Sequence, residues 1–147
     1  MWIRMSLAAL LAAATLTGCV TSETCVSWVD FETPQDAYDD ARLVVRGEVG
    51  AITGTRAVLG VQATVHAVTV VEVLKGDDPG STIEVASTPI TCTGGELYPD
   101  GDPLDVTGDV ILFLGDPPDT HGWRLITPFD GVLPAPADGT LPFEVAD

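Results

Sequence analysis

The chain reads as an all-β protein with a minor helix, folded as a small five-stranded barrel carrying a short N-terminal helix and a C-terminal flap. Three observations lead there. Apolar residues recur at every second position, not at helical spacing, in the runs after residue 41. β-Branched residues crowd those runs, while 15 Gly and 11 Pro punctuate the chain. One run, residues 62–74, would extend roughly 43 Å if straight, so in a chain this small it must bend.

The elements follow in order. Trp28 and Phe31 are aromatics placed to cover one end of the core, with the membrane interface the alternative. Thr33-Pro34-Gln35-Asp36 opens a helix: a capping hydroxyl, proline in the first turn and an acid at the third position. The spacing predicts a helix over residues 34–40. Asp36 suits its positive end, whereas Asp39 and Asp40 crowd its negative end. Residues 41–49 alternate, with Leu43, Val45 and Val49 on one face and Arg42, Arg46 and Glu48 on the other. Gly47 in their midst marks a bulge or bend.

In the long run, Val61, Ala63, Val65, Ala67, Val71 and Val73 share a face. Gln62, Thr64, His66 and Glu72 take the opposite face together with Val68 and Val70, which turns His66 toward solvent. A turn at residues 75–80 leads to a strand at 82–86. Residues 93–109, rich in Gly, Pro and Asp, form a long loop. Val110-Ile111-Leu112-Phe113-Leu114 has no polar face and is a central strand buried on both sides. The Asp116-Pro117-Pro118-Asp119 turn precedes a strand at 123–126. Val132, Leu133 and residues 141–145 then suggest a hairpin-like flap, which Pro134, Pro136 and Pro142 confine to an edge.

Charge narrows the function. Acidic residues number 22 against 6 basic ones, for a net charge of −16, so the footprint of a nucleic-acid binder is missing. A hydrophobic content of 46% is too high for a disordered chain. The excess negative charge reads as solubility, with some attraction for cationic partners.

The N-terminus carries an address. Arg4 is followed by an apolar run, residues 6–15, too short to span a bilayer, which needs about 20 residues. Then comes Leu16-Thr17-Gly18-Cys19. This tetrapeptide resembles the lipobox of bacterial lipoproteins. The resemblance implies diacylglycerol on the Cys19 thiol, cleavage just before Cys19, palmitate among the acyl chains and a membrane partner. It places the protein on the extracytoplasmic face of the cell envelope. The expected organisation is a signal peptide at 1–18, a membrane tether at 19–32 and one β-barrel domain at 33–147. Loss of Arg4 with the signal leaves the secreted chain still more acidic.

With Cys19 given to lipid, Cys25 and Cys92 remain, and in an oxidising compartment an even pair reads as a disulfide. Such a bridge would stabilise the fold by about 4 kcal/mol on the chain-entropy model and pin the barrel close to the membrane. Two free thiols are the alternative.

The order Cys25, short helix, Ala41-Arg42-Leu43-Val44-Val45-Arg46-Gly47-Glu48-Val49, a long strand ending Val73-Leu74-Lys75-Gly76, then Ile83-Glu84-Val85 is similar to netrin/TIMP-type OB barrels. The likeness spans residues 25–115 and implies the barrel only. Inhibitors of that family chelate zinc through a free N-terminal cysteine, and here an acylated Cys19 precedes Cys25 by six residues.

Asp100, Asp102 and Asp105, with Asp109 beyond, are the one cluster suited to a hard cation such as Ca²⁺. As an EF-hand the segment fails, because Asp105 stands where glycine is needed and Ile111 where glutamate is needed. The cluster therefore reads as a solvated loop whose carboxylates cap turns, with calcium the sharper alternative. His66 and His121 lack any accompanying nucleophile motif. The resulting expectation is a non-catalytic envelope lipoprotein that binds a protein, a peptide or a small ligand. The alternative is a small extracytoplasmic enzyme or calcium binder using residues 100–109.

Overall fold

The computed structural model describes residues 27–90, 95–115 and 122–146. Cys19, Cys25, Cys92 and His121, with the 116–119 turn, lie outside the described residues.

Helix α1 spans Pro34–Asp40, as the sequence predicts. Its start is a reciprocal capping box. Asp36 N–H donates to Thr33 Oγ1 at 3.2 Å, and Thr33 N–H donates to Asp36 Oδ2 at 3.0 Å. The acids at its far end are answered from another element. Lys75 Nζ donates to the carbonyls of Tyr38 and Asp39 at 2.7 and 2.9 Å, which satisfies the last turn and places a cation at its negative pole.

Among the described residues six strands follow: β1 Leu43–Val58, β2 Val61–Lys75, β3 Thr82–Ala86, β4 Asp109–Gly115, β5 Trp123–Leu125 and β6 Val132–Pro134. Their order is β1-β2-β3-β5-β4-β6, and a further β1–β4 pairing brings the first five into a closed ring. All pairs are antiparallel except β3 with β5. The result is the five-stranded OB-like barrel of an all-β protein, with β6 added on β4. Among the described residues no helix is long and apolar enough to cross a membrane.

The barrel interior is filled by Leu43 and Val45 of β1, Val68 of β2, Ile83 and Val85 of β3, and Val110, Leu112 and Leu114 of β4. Alternate residues of β4, Ile111 and Phe113, face outward and meet Tyr38 of α1 and Phe143 of the C-terminal segment. β4 is thus buried on both faces, as its lack of a polar side predicts. The C-terminal segment does cover the barrel, but not as a hairpin. Only Val132–Pro134 is a strand, at an edge, and the chain then runs back over α1. There Phe143 stacks on Tyr38 with ring centroids 4.8 Å apart, and Glu144 N–H donates to Gln35 Oε1 at 2.7 Å. Phe31 packs beside the same cluster, and Trp28 Nε1 donates to the Ile90 carbonyl at 3.4 Å.

Two differences from the sequence reading matter for the site. β1 does not stop at residue 49; it continues to Val58 and turns through Leu59 and Gly60, both at positive φ, into β2. Only residues 43–48 of β1 pair with β4, so the rest of the β1–β2 hairpin forms a curled arm. The faces of β2 also exchange. Val45 pairs with Val73 and Gly47 with Val70, leaving Val71 as an extra residue on β2. A bulge of this kind shifts the alternation by one. Consequently Val71 is exposed, whereas Val68 and Val70 join Val73 at the barrel interior. His66 shares their side and is 4% exposed, so its expected solvent face is corrected to a buried one.

Candidate functional site

Two places bring chemistry-bearing residues together. The first is a buried polar clasp under the loop between β3 and β4. Leu104 from that loop plugs the barrel interior, and Asp102 anchors the loop beside it. Asp102 Oδ2 lies 3.1 Å from His66 Nε2, an ion pair whenever the ring is protonated. Asp102 Oδ1 accepts from the Ser87 hydroxyl and, at 2.9 Å, from the Leu104 N–H. His66 Nδ1 lies 3.4 Å from the Gly50 carbonyl. Tyr98 completes the clasp: its hydroxyl donates to the Ser87 carbonyl at 2.8 Å and accepts from the Thr64 N–H at 3.1 Å. Burial raises the Tyr98 phenol above its ordinary 10.0, with Asp102 adding to the rise and the hydrogen bonds at Thr64 and Ser87 opposing it.

Serine, histidine and aspartate meet here, but in the wrong order for nucleophilic catalysis. The carboxylate stands between hydroxyl and imidazole, so the ring has no path to the serine proton, and Ser87 is fully buried. What the arrangement does is hold the β3–β4 loop on the barrel.

The acidic candidates do not converge. Asp100 is exposed, Asp102 is engaged in the clasp, and Asp105 borders a separate groove of about 520 Å³ with Pro103 and Phe129. Asp109 is paired with Arg46 at 2.9 Å. Among the described residues no three His, Cys, Asp or Glu side chains are grouped to hold a metal ion.

The second place is a cleft of about 690 Å³ between the β1 arm, the β2–β3 turn and the start of β5. Its apolar wall includes Ile83, Pro79 and Trp123, and its cations are Arg42, Arg56 and Lys75. The Arg56 guanidinium reaches from the arm to β5, donating through Nη2 to the Trp123 carbonyl at 2.5 Å, while its Nε is buried without a hydrogen-bond partner among the described residues. Gly122 makes room for it. A Cβ there would lie 2.3 Å from Arg56 Nη1, and the φ of +71° also favours glycine. Burial pulls the Arg56 guanidinium below its ordinary pKa, and the Glu84 carboxylate on the same cleft opposes that pull.

The sequence reading singled out neither site. Arg42 was readable only as an outward strand residue. Arg56 falls in a stretch without clean alternation. The available signal was scarcity: three of six basic residues in an acidic chain line one cleft. No family model matches the chain, and neither a curated protein nor a solved structure does.

Proposed function

We propose that the protein is a lipid-anchored bacterial cell-envelope lipoprotein whose barrel is a non-catalytic binding module, with the Arg56 cleft as its ligand site. The observation that carries the binding reading is the cleft itself. Its volume lies in the range of small-molecule sites, and it combines apolar walls with a few placed polar groups. The buried clasp supports the non-catalytic part, since its one serine, histidine and aspartate are consumed in fastening a loop. Anchoring rests on Leu16-Thr17-Gly18-Cys19 behind the apolar run. Two or three acyl chains, at about 0.8 kcal/mol per buried CH₂, make such attachment stable.

Mass spectrometry of the mature N-terminus tests the anchor. Diacylglyceryl-modified Cys19 as the first residue is expected; an unmodified Cys19 or cleavage elsewhere overturns it. Thiol titration of the unfolded, unreduced protein tests the proposed Cys25–Cys92 bridge, with no reactive thiol expected. Saturable binding of a small ligand that perturbs the Trp123 signal tests the cleft.

A further inference from the structure

We infer that the cleft is selective for amphipathic monoanions, an apolar body bearing one carboxylate, with Arg56 as the residue that selects the charge. The inference rests on the binding reading above and adds the chemical class of the ligand.

The basic residues have unequal commitments. Arg46 is paired with both Glu72 and Asp109 on the barrel wall. Lys75 lines the cleft but directs its ammonium at two helix carbonyls. Arg42 is exposed at the cleft margin. Arg56 is half-buried, and among the described residues its one hydrogen bond goes to a neutral carbonyl. A guanidinium presents its donors as a planar fork that matches a carboxylate, and that of Arg56 lines the cleft. A carboxylate in the cleft gives it a charge-assisted partner that the neutral Trp123 carbonyl does not.

The surroundings set the rest of the class. Ile83, Pro79 and Trp123 line the cleft together with Arg56, an apolar share of the lining that suits a hydrocarbon or aromatic body. Asp77 and Asp78 on the exposed β2–β3 turn, with Glu84, line the same cleft. Their charges, in a chain of net −16, oppose a second negative charge on the ligand. A single carboxylate satisfies Arg56, whereas phosphate esters and dicarboxylates meet added repulsion.

The test compares three probes with one apolar body: 4-phenylbutyrate, 4-phenylbutanol and 4-phenylbutylamine. Each is titrated into the full chain while the Trp123 indole resonance is followed. Phenylbutyrate is expected to bind about tenfold more tightly than the alcohol, the increment of one charge-assisted hydrogen-bonded contact, and the amine more weakly than either. In Arg56→Gln the advantage of the anion disappears while the alcohol binds as before. Gly122→Ala, which leaves every charge in place but crowds the guanidinium, is expected to reduce the same advantage. Equal binding of acid and alcohol to the unaltered chain, or an anion preference that survives Arg56→Gln, overturns the charge selection and leaves the cleft reading standing. If none of the three probes moves the Trp123 signal, the cleft reading itself falls.

Discussion

Asp102 is the residue on which most of the loop depends. It is the shared acceptor for His66, for the Ser87 hydroxyl and for the Leu104 N–H, and all three of those residues are buried. Asp102→Ala leaves them unpaired away from water, so a loss of about 2–4 kcal/mol is expected, measured from urea unfolding midpoints. Tyr98 contributes a pH dependence of its own. Its phenol proton is held more tightly in the folded state than in the unfolded chain, because its pKa is raised above 10.0. That contribution is fully present below pH 10 and is lost as pH rises through the raised value. Melting temperatures recorded from pH 8 to pH 11.5 should fall more steeply for the native chain than for Tyr98→Phe. At neutral pH the variant loses about 1 kcal/mol with its two hydrogen bonds. Residues 93–109 read as a loop whose carboxylates cap turns, which fits the bond that Asp102 accepts from the Leu104 N–H. Its contacts with a histidine on β2 and a serine after β3 have no local signature.

At the scale of elements, local signals served well where the forces are local. The capping box of α1, the helix span Pro34–Asp40 and the doubly buried β4 were all readable, because a cap or an apolar run is complete within a few residues. The faces of β2 were not. Period-2 reasoning assumes an unbroken pleat, and the extra residue at Val71 reverses the alternation along the strand. Gly47 marks the place opposite. A Cβ at this position would stand 2.2 Å from the Thr69 carbonyl oxygen, a backbone atom that cannot move aside cheaply. Gly47→Ala is therefore expected to destabilise the barrel by about 2 kcal/mol through a forced shift between β1 and β2. Calorimetric unfolding of the variant checks this; an unchanged transition would show that the bulge can relax.

For the whole molecule, closure of the ring and the distribution of charge decide behaviour. Among the described residues β3 and β5 meet through two parallel residue pairs, Val85 with Trp123 and Ala86 with Arg124. The arm and β5 are also joined there by the Arg56 contact to the Trp123 carbonyl, at the edge of the cleft. The net charge of −16 adds self-repulsion to the compact state. Raising sodium chloride from 20 to about 300 mM should accordingly increase the melting temperature, on the order of 3 °C, by shortening the screening length. Scanning calorimetry across that series checks the sign.

By itself, the amino-acid sequence determined the all-β class, the capped helix, the core strand at β4 and the acidic surface. Each follows from spacing, capping chemistry or composition, which act over a few residues or over none in particular. Only the tertiary structure decided that His66 turns inward to Asp102, and that Arg42, Arg56 and Lys75 meet at one cleft. Those outcomes depend on two things that no window of sequence contains. One is the bulge that reverses the faces of a strand. The other is the ring closure that carries Arg56, on the far half of β1, against the carbonyl of Trp123, where its half-buried guanidinium borders a cleft.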